Sequence, residues 1–200
     1  VLDAAMREFG ARGFSGGSLN VIAREAAVAK GSLFQYFDDK LDLFGYVCDV
    51  ASQRIRCDLE KEIVDLDPQR PFFEFLEDLL LAWVGYFQEH PVERGVTAAT
   101  NLEMDGAVRA AVRGVANGHY LAVLAPLLES AHARGDLRAD ADLPALTAHL
   151  LLLAPHLALA PFIEGLDPVL ALYGRPPQEL AEPVHRLVST LAHAFTSEQP

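Results

Sequence analysis

The chain has 200 residues, half of them apolar, with 28 acidic and 16 basic side chains and a net charge of −12. Its length and apolar content suffice to bury a sizeable core, and they exclude a disordered or collagen-like chain. A field this negative repels nucleic acid, so contact with DNA would need a local surface of different charge.

The hydrophobic pattern is helical throughout, and no strand is expected. Leu2, Ala5, Met6 and Phe9 repeat at helical spacing and predict a first helix that Gly13-Phe14 ends. Ser18 stands at the N-cap position of a second helix from Leu19, with Ile22, Ala23 and Ala26 on its inner face. Val28 is expected to anchor the turn that follows. A third helix is expected from Lys30 to about Phe37, with Leu33 and Phe37 pointing inward. That leaves Lys30, Gly31, Ser32 and Gln35 facing out, flanked by Phe34 and Tyr36, and Lys40 adds a charge beyond the end. A cation, a bare backbone, a hydroxyl, an amide and a phenol suit phosphates and base edges. By pattern alone, two helices joined by a tight turn fit DNA binding and ordinary helical packing equally. The charge is unevenly spread: residues 1–40 hold five basic and five acidic side chains, residues 41–200 eleven and twenty-three.

Asp38 or Asp39 can cap a long helix to about Asp65, which Asp67-Pro68 through Pro71 breaks. An apolar helix follows over 72–89, with Phe72, Leu76, Leu79, Trp83 and Phe87 as its stripe and His90-Pro91 at its end. A shorter helix over 92–102 precedes one that Asp105 caps and that runs to about Arg134, bent at Pro126. The stretch 143–163 carries no charged residue and approaches the length of a membrane span. Pro155, Pro161, His149, His156 and Thr147 interrupt it, and Asp142 and Glu164 flank it where a span would carry basic residues. A helix buried within a protein assembly is expected instead. A short helical turn is expected over 167–173. Pro176-Pro177 opens a last helix to about Thr196, on which Leu180, Val184, Leu187, Leu191 and Ala194 form a seam.

Little in the chain suggests catalysis. Cys48 and Cys57 lie nine residues apart on one expected helix, about 13 Å, too far to pair. Two lone cysteines without a leading signal segment fit a reducing cytoplasm. The histidine pairs 149/156 and 185/193 lack the spacing of three or four that chelates a metal on a helix. Glu103 and Asp105 form the nearest approach to an acid pair, and capping explains them. No enzyme activity, cofactor or metal is expected. An apolar small-molecule site is a better fit. Its candidate lining is Phe75, Leu79, Trp83 and Phe87, then Leu102 and Met104, then Asn117, His119 and Tyr120, with His156 on the uncharged helix. Ordinary core is the alternative reading of each aromatic.

VLDAAMREFGARGF and then IAREAAVAKGSLFQYFDDK resemble the DNA-binding domain of the TetR family of bacterial transcriptional regulators. The resemblance covers about a quarter of the chain. Ala27 stands where the family usually has Gly, Ala29 where it has Ser or Thr, and Phe34 where Tyr is commoner. The resemblance implies an all-α fold: a three-helix DNA-binding domain over 1–43 and a helical ligand-binding and dimerisation domain over 44–200. It implies operator contacts from Ser18, Lys30, Gly31, Ser32, Phe34, Gln35, Tyr36 and Lys40. It also implies a homodimer built from the last two major helices, through Leu150, Leu153, Leu180, Val184, Leu187 and Leu191. The expected function is a cytoplasmic repressor that a small-molecule inducer releases from operator DNA, with no membrane association. The alternative is a helical ligand-binding or interaction protein whose DNA-binding surface is weak or unused.

Overall fold

The computed structural model describes residues 1–66 and 70–196. Among them lie nine α-helices and no strand, the all-α class expected: α1 (Leu2–Gly16), α2 (Leu19–Glu25), α3 (Lys30–Leu33), α4 (Lys40–Asp65), α5 (Phe72–Glu89), α6 (Pro91–Asn101), α7 (Gly106–Arg134), α8 (Leu143–Leu159) and α9 (Ala181–Phe195). None of these helices is long and apolar enough to cross a membrane. The break expected at Asp67-Pro68 lies outside the described residues.

Short polar side chains set the helix starts, by giving orphan N–H groups an acceptor. The Ser18 hydroxyl accepts the Val21 N–H at 3.4 Å. Asp39 accepts the Asp42 N–H at 2.8 Å, while Asp42 accepts the Asp38 N–H at 3.0 Å, a reciprocal cap on α4. Asp105 receives Ala107 and Val108 at 2.9 and 3.1 Å, and Asp142 receives Ala145 at 2.9 Å. Gly13 interrupts α1 with a φ of 65°, which glycine adopts without steric cost.

Three expected boundaries differ. α3 stops at Leu33 rather than Phe37, because the following residues bond over shorter loops: Gln35 N–H to the Ser32 carbonyl and Tyr36 N–H to the Leu33 carbonyl. α8 stops at Leu159 rather than near Ile163, because Pro161 has no N–H to continue the ladder. Residues 167–173 are not helical. They form a loop in which Asp167 accepts the N–H groups of Val169, Leu170 and Leu172. A 3₁₀ turn, Pro177–Glu179, precedes α9.

The chain forms two compact units. The first comprises 1–56 with 88–119, the second 57–87 with 120–200. The first buries Met6, Phe9, Ile22, Leu33, Phe44, Val47, Val96 and Val112 in one cluster. Within it α1 and α6 cross at glycines: a Cβ added at Gly95 would lie 2.8 Å from the Gly10 carbonyl oxygen. Arg54 of α4 pairs with Glu93 of α6 at 3.2 Å and Asp3 of α1 at 3.8 Å. The second unit buries the stripe of α5 (Phe72, Leu76, Leu79, Trp83 and Phe87) together with Leu146, Leu150 and Leu157 of α8 and Val184, Val188 and Phe195 of α9.

Candidate nucleic-acid interface and ligand-binding unit

In the first unit, α2, a tight turn and α3 present the residues expected to meet DNA. Leu33 is buried and Phe37 half-buried, its ring 5.5 Å from that of Tyr46. These inward contacts fix the opposite side. Lys30, Gly31 and Gln35 are exposed, and Ser32 is half-buried. Phe34 is 49 % exposed and Tyr36 80 %, so two aromatic rings stand in solvent beside the amide. Ser18 is half-buried, with its hydroxyl engaged in capping. The Lys40 ammonium donates to the Ser15 carbonyl at 3.4 Å and lies 4.7 Å from the Phe14 ring centre, so its charge is tied to the end of α1.

Three features of this site go beyond the sequence reading. Val28 is exposed rather than anchored inside, because Ala27 turns the chain outward with a φ of 53°. Glu8 is buried and accepts the Ser18 N–H at 3.0 Å, pinning the start of α2 to α1. Its signal is a carboxylate next to Phe9 on the buried stripe of α1. Tyr46, its ring tilted against that of Phe37 and 48 % exposed, adds a phenol next to the expected set.

Of the residues expected to line a ligand site, Phe75, Leu79, Trp83 and Phe87 are all buried on α5. Trp83 donates its indole N–H to the Ala154 carbonyl at 2.8 Å. Its ring centre lies 4.7 Å from that of Phe87 and 5.5 Å from that of Tyr120, both near edge-on. Asn117 and His119 belong to the first unit. His119 Nε2 lies 2.8 Å from an Asp49 carboxylate oxygen. His119 Nδ1 and Asn117 Oδ1 are buried and find no partner among the described residues. Leu102 and Met104 are on the surface, Met104 at 88 % exposure, because α6 ends at Asn101 and the connection to α7 runs through solvent. His156 is also exposed, its Nδ1 3.2 Å from the Leu152 carbonyl of its own helix.

The seam of the last helix needs a correction. Leu180, Val184 and Leu150 are buried inside their own unit, so they serve its core and offer nothing to a second copy. Leu153, Leu187 and Leu191 are only half-buried, and Leu152 is 71 % exposed.

The cysteines are both free; Cys48 is buried and Cys57 exposed. Burial pushes the Cys48 thiol up to about 12, against a smaller opposing effect of its hydrogen bond from Thr100. At neutral pH it is an inert core group.

The outward side of this capped helix–turn–helix bears a cation, an amide and a phenol, groups that suit phosphates and base edges. Residues 1–47 match the family described as bacterial regulatory proteins of the tetR family. An HTH-type transcriptional regulator AcrR from Shigella flexneri is 35 % identical over 80 residues, which span 40 % of this chain and 37 % of the relative. Across the whole length, the fold is similar to the fatty acid degradation regulator FadR of Bacillus halodurans. Its TM-score is 0.73 at 17 % identity, covering 94 % of this chain and 95 % of that one. FadR of Bacillus subtilis, solved in complex with stearoyl-CoA, matches with a TM-score of 0.70 at 16 % identity and the same coverages. Residues 1–47 thus match the DNA-binding segment of the tetR family, and the chain as a whole shares its fold with the two FadR regulators.

Proposed function

We propose that the protein is a cytoplasmic, homodimeric repressor that binds operator DNA and leaves it when a small molecule binds. Residues 1–43 are the proposed DNA-binding domain and 44–200 the proposed ligand-binding and dimerisation domain. The observation that supports this best is the exposed set Lys30, Gly31, Gln35 and Tyr36 on a turn held in place by buried Leu33. Gln35 is assigned to a base edge, where an amide can pair with adenine, and Lys30 to a phosphate. Ser18, Ser32, Phe34, Tyr36 and Lys40 assist at the backbone. In the second unit Phe75, Leu79, Trp83, Phe87 and Tyr120 are the proposed apolar ligand contacts. The stearoyl-CoA bound by the Bacillus subtilis neighbour makes acyl chains the first probes. Release requires the ligand to favour the arrangement that cannot bind DNA, typically by about 1–3 kcal/mol of coupling.

The test is selection from random duplex DNA, followed by footprinting and by titration with acyl probes. Trp83 is the only tryptophan, so its fluorescence reports ligand entry. A folded protein that selects no duplex at low salt would refute the reading. The dimer is tested separately. Leu187→Asp puts a carboxylate on the half-buried seam of α9, and burying it in an interface is strongly unfavourable. Sedimentation should show a dimer for the unmodified protein and a monomer for the variant; an unmodified monomer at micromolar concentration rules the dimer out.

A further inference from the structure

A groove of about 410 Å³ lies along α7 and α8 within the second unit. Leu128, Leu143, Pro144 and Leu151 make most of its wall, and Ala125 and Ala148 keep it open. Thr147 also lines it, but its hydroxyl is spent on the Leu143 carbonyl at 2.8 Å. The only ionisable group of the lining is Glu129. Its side chain is exposed and enters no hydrogen bond or ion pair with the described residues.

The cations of this unit are all engaged elsewhere. Lys61 pairs with Asp58, Arg70 with Glu74 and Asp78, Arg134 with Asp136, Arg138 with Asp140 and Arg186 with Glu182. Arg175 donates to the Ala171 carbonyl. The unit holds six basic and seventeen acidic side chains. An anion in the groove would therefore meet Glu129 and a negative field with no spare cation to pair with. A neutral apolar molecule would cover Glu129 without replacing its lost water, an uncompensated cost. A molecule with an apolar body and one positive charge satisfies both the wall and the carboxylate, and the field concentrates it near the surface.

We propose that the α7–α8 groove is a binding site for an amphiphilic organic cation. Its ammonium group pairs with Glu129 and its hydrocarbon lies on Leu128, Leu143 and Leu151. The site is independent of whether the chain binds DNA.

The experiment is calorimetric titration with decyltrimethylammonium, decanol and decyl sulfate, all below micellar concentration. The unmodified protein is compared with Glu129→Gln and Ala148→Trp. Both positions are exposed, so neither change disturbs the core. The cation should bind at least about tenfold more tightly than the neutral and anionic probes. Glu129→Gln should remove that preference, and Ala148→Trp should block all binding. Equal affinity for the three probes, or cation binding unchanged in either variant, overturns the site. So does a drop in oligomeric state in Ala148→Trp, which would mean that a second copy fills the groove. Operator binding is measured on the same samples. Its absence would refute the regulator reading while leaving the groove result to stand.

Discussion

The two compact units have different surfaces. The first carries ten basic and eleven acidic side chains, the second six and seventeen, so nearly all of the net charge belongs to the second. The aromatic residues differ in emphasis. The first unit buries Phe9 and Phe44 but leaves Phe34, Tyr36 and Tyr46 partly or wholly in solvent; the second buries Phe72, Phe73, Phe75, Trp83 and Phe87 and exposes Tyr173. A whole-chain charge is therefore the wrong quantity for judging whether this protein can meet DNA. Screening limits the reach of surface charges to about 10 Å at ordinary salt, so a balanced unit can present a phosphate-binding face in a chain whose net charge is negative. The same aromatic residue types do two jobs, and only their periodicity against neighbouring apolar residues tells them apart.

The largest effect on this comparison should come from Gly95→Val. The new side chain would meet the Gly10 backbone, which cannot rotate away, so α1 and α6 must separate. Overpacking of this kind typically costs 1–3 kcal/mol and occasionally more, and about 3 kcal/mol is expected here because the obstacle is main chain. Circular dichroism follows both units, whereas Trp83 fluorescence follows only the second. The expected result is a lowered first transition with the fluorescence transition in place. If the two probes shift together, the units unfold as one and their distinction is geometric only.

Gln35→Ala should act next, without touching stability. It removes an exposed amide assigned to a base edge, which should cost about 2 kcal/mol on the preferred operator and relax sequence preference there. Lys30→Ala should instead weaken all duplexes alike and reduce the salt slope by about one. Competition binding at two salt concentrations separates them. Equal losses of specificity in both variants would break the assignment of base and phosphate roles.

How far the sequence reached can be followed residue by residue. Ser18, Asp39 and Asp105 cap the helices they precede, and Met6, Phe9, Ile22 and Leu33 are buried where helical spacing places them. These features are local, and local chemistry decides them. The errors concern matters that spacing cannot carry. Leu180 and Val184 share a stripe with Leu187, yet the first two face their own core and the third is half-exposed. A heptad stripe does not say which partner covers each turn. Leu102 and Met104 are apolar but sit in an exposed connection. Glu8 is charged but buried, because a hydrogen bond to Ser18 offsets its desolvation. The α7–α8 groove draws residues from 125 to 151, a juxtaposition that no pattern along the chain announces.

The smallest expected effect is also the most local. Ala27 adopts a φ of 53°, where its Cβ crowds the carbonyl, and Ala29 begins α3 with no side chain to cap it. A left-handed conformation costs an L-residue roughly 1–2 kcal/mol, and glycine avoids this at some cost in unfolded-state entropy. Ala27→Gly should therefore stabilise the first unit by about 0.5–1 kcal/mol. Its side chain is exposed, so no packing is lost. Ala29→Ser should add a similar amount by giving an N–H of the first turn an acceptor. The two positions flank one turn, so the double variant should fall slightly short of the sum. Both gains should appear in the dichroism transition and not in Trp83 fluorescence, the reverse side of the Gly95→Val test. A fluorescence shift of equal size would show that strain in the turn is felt by the acidic unit as well, and the two units could not then be treated as separate in stability.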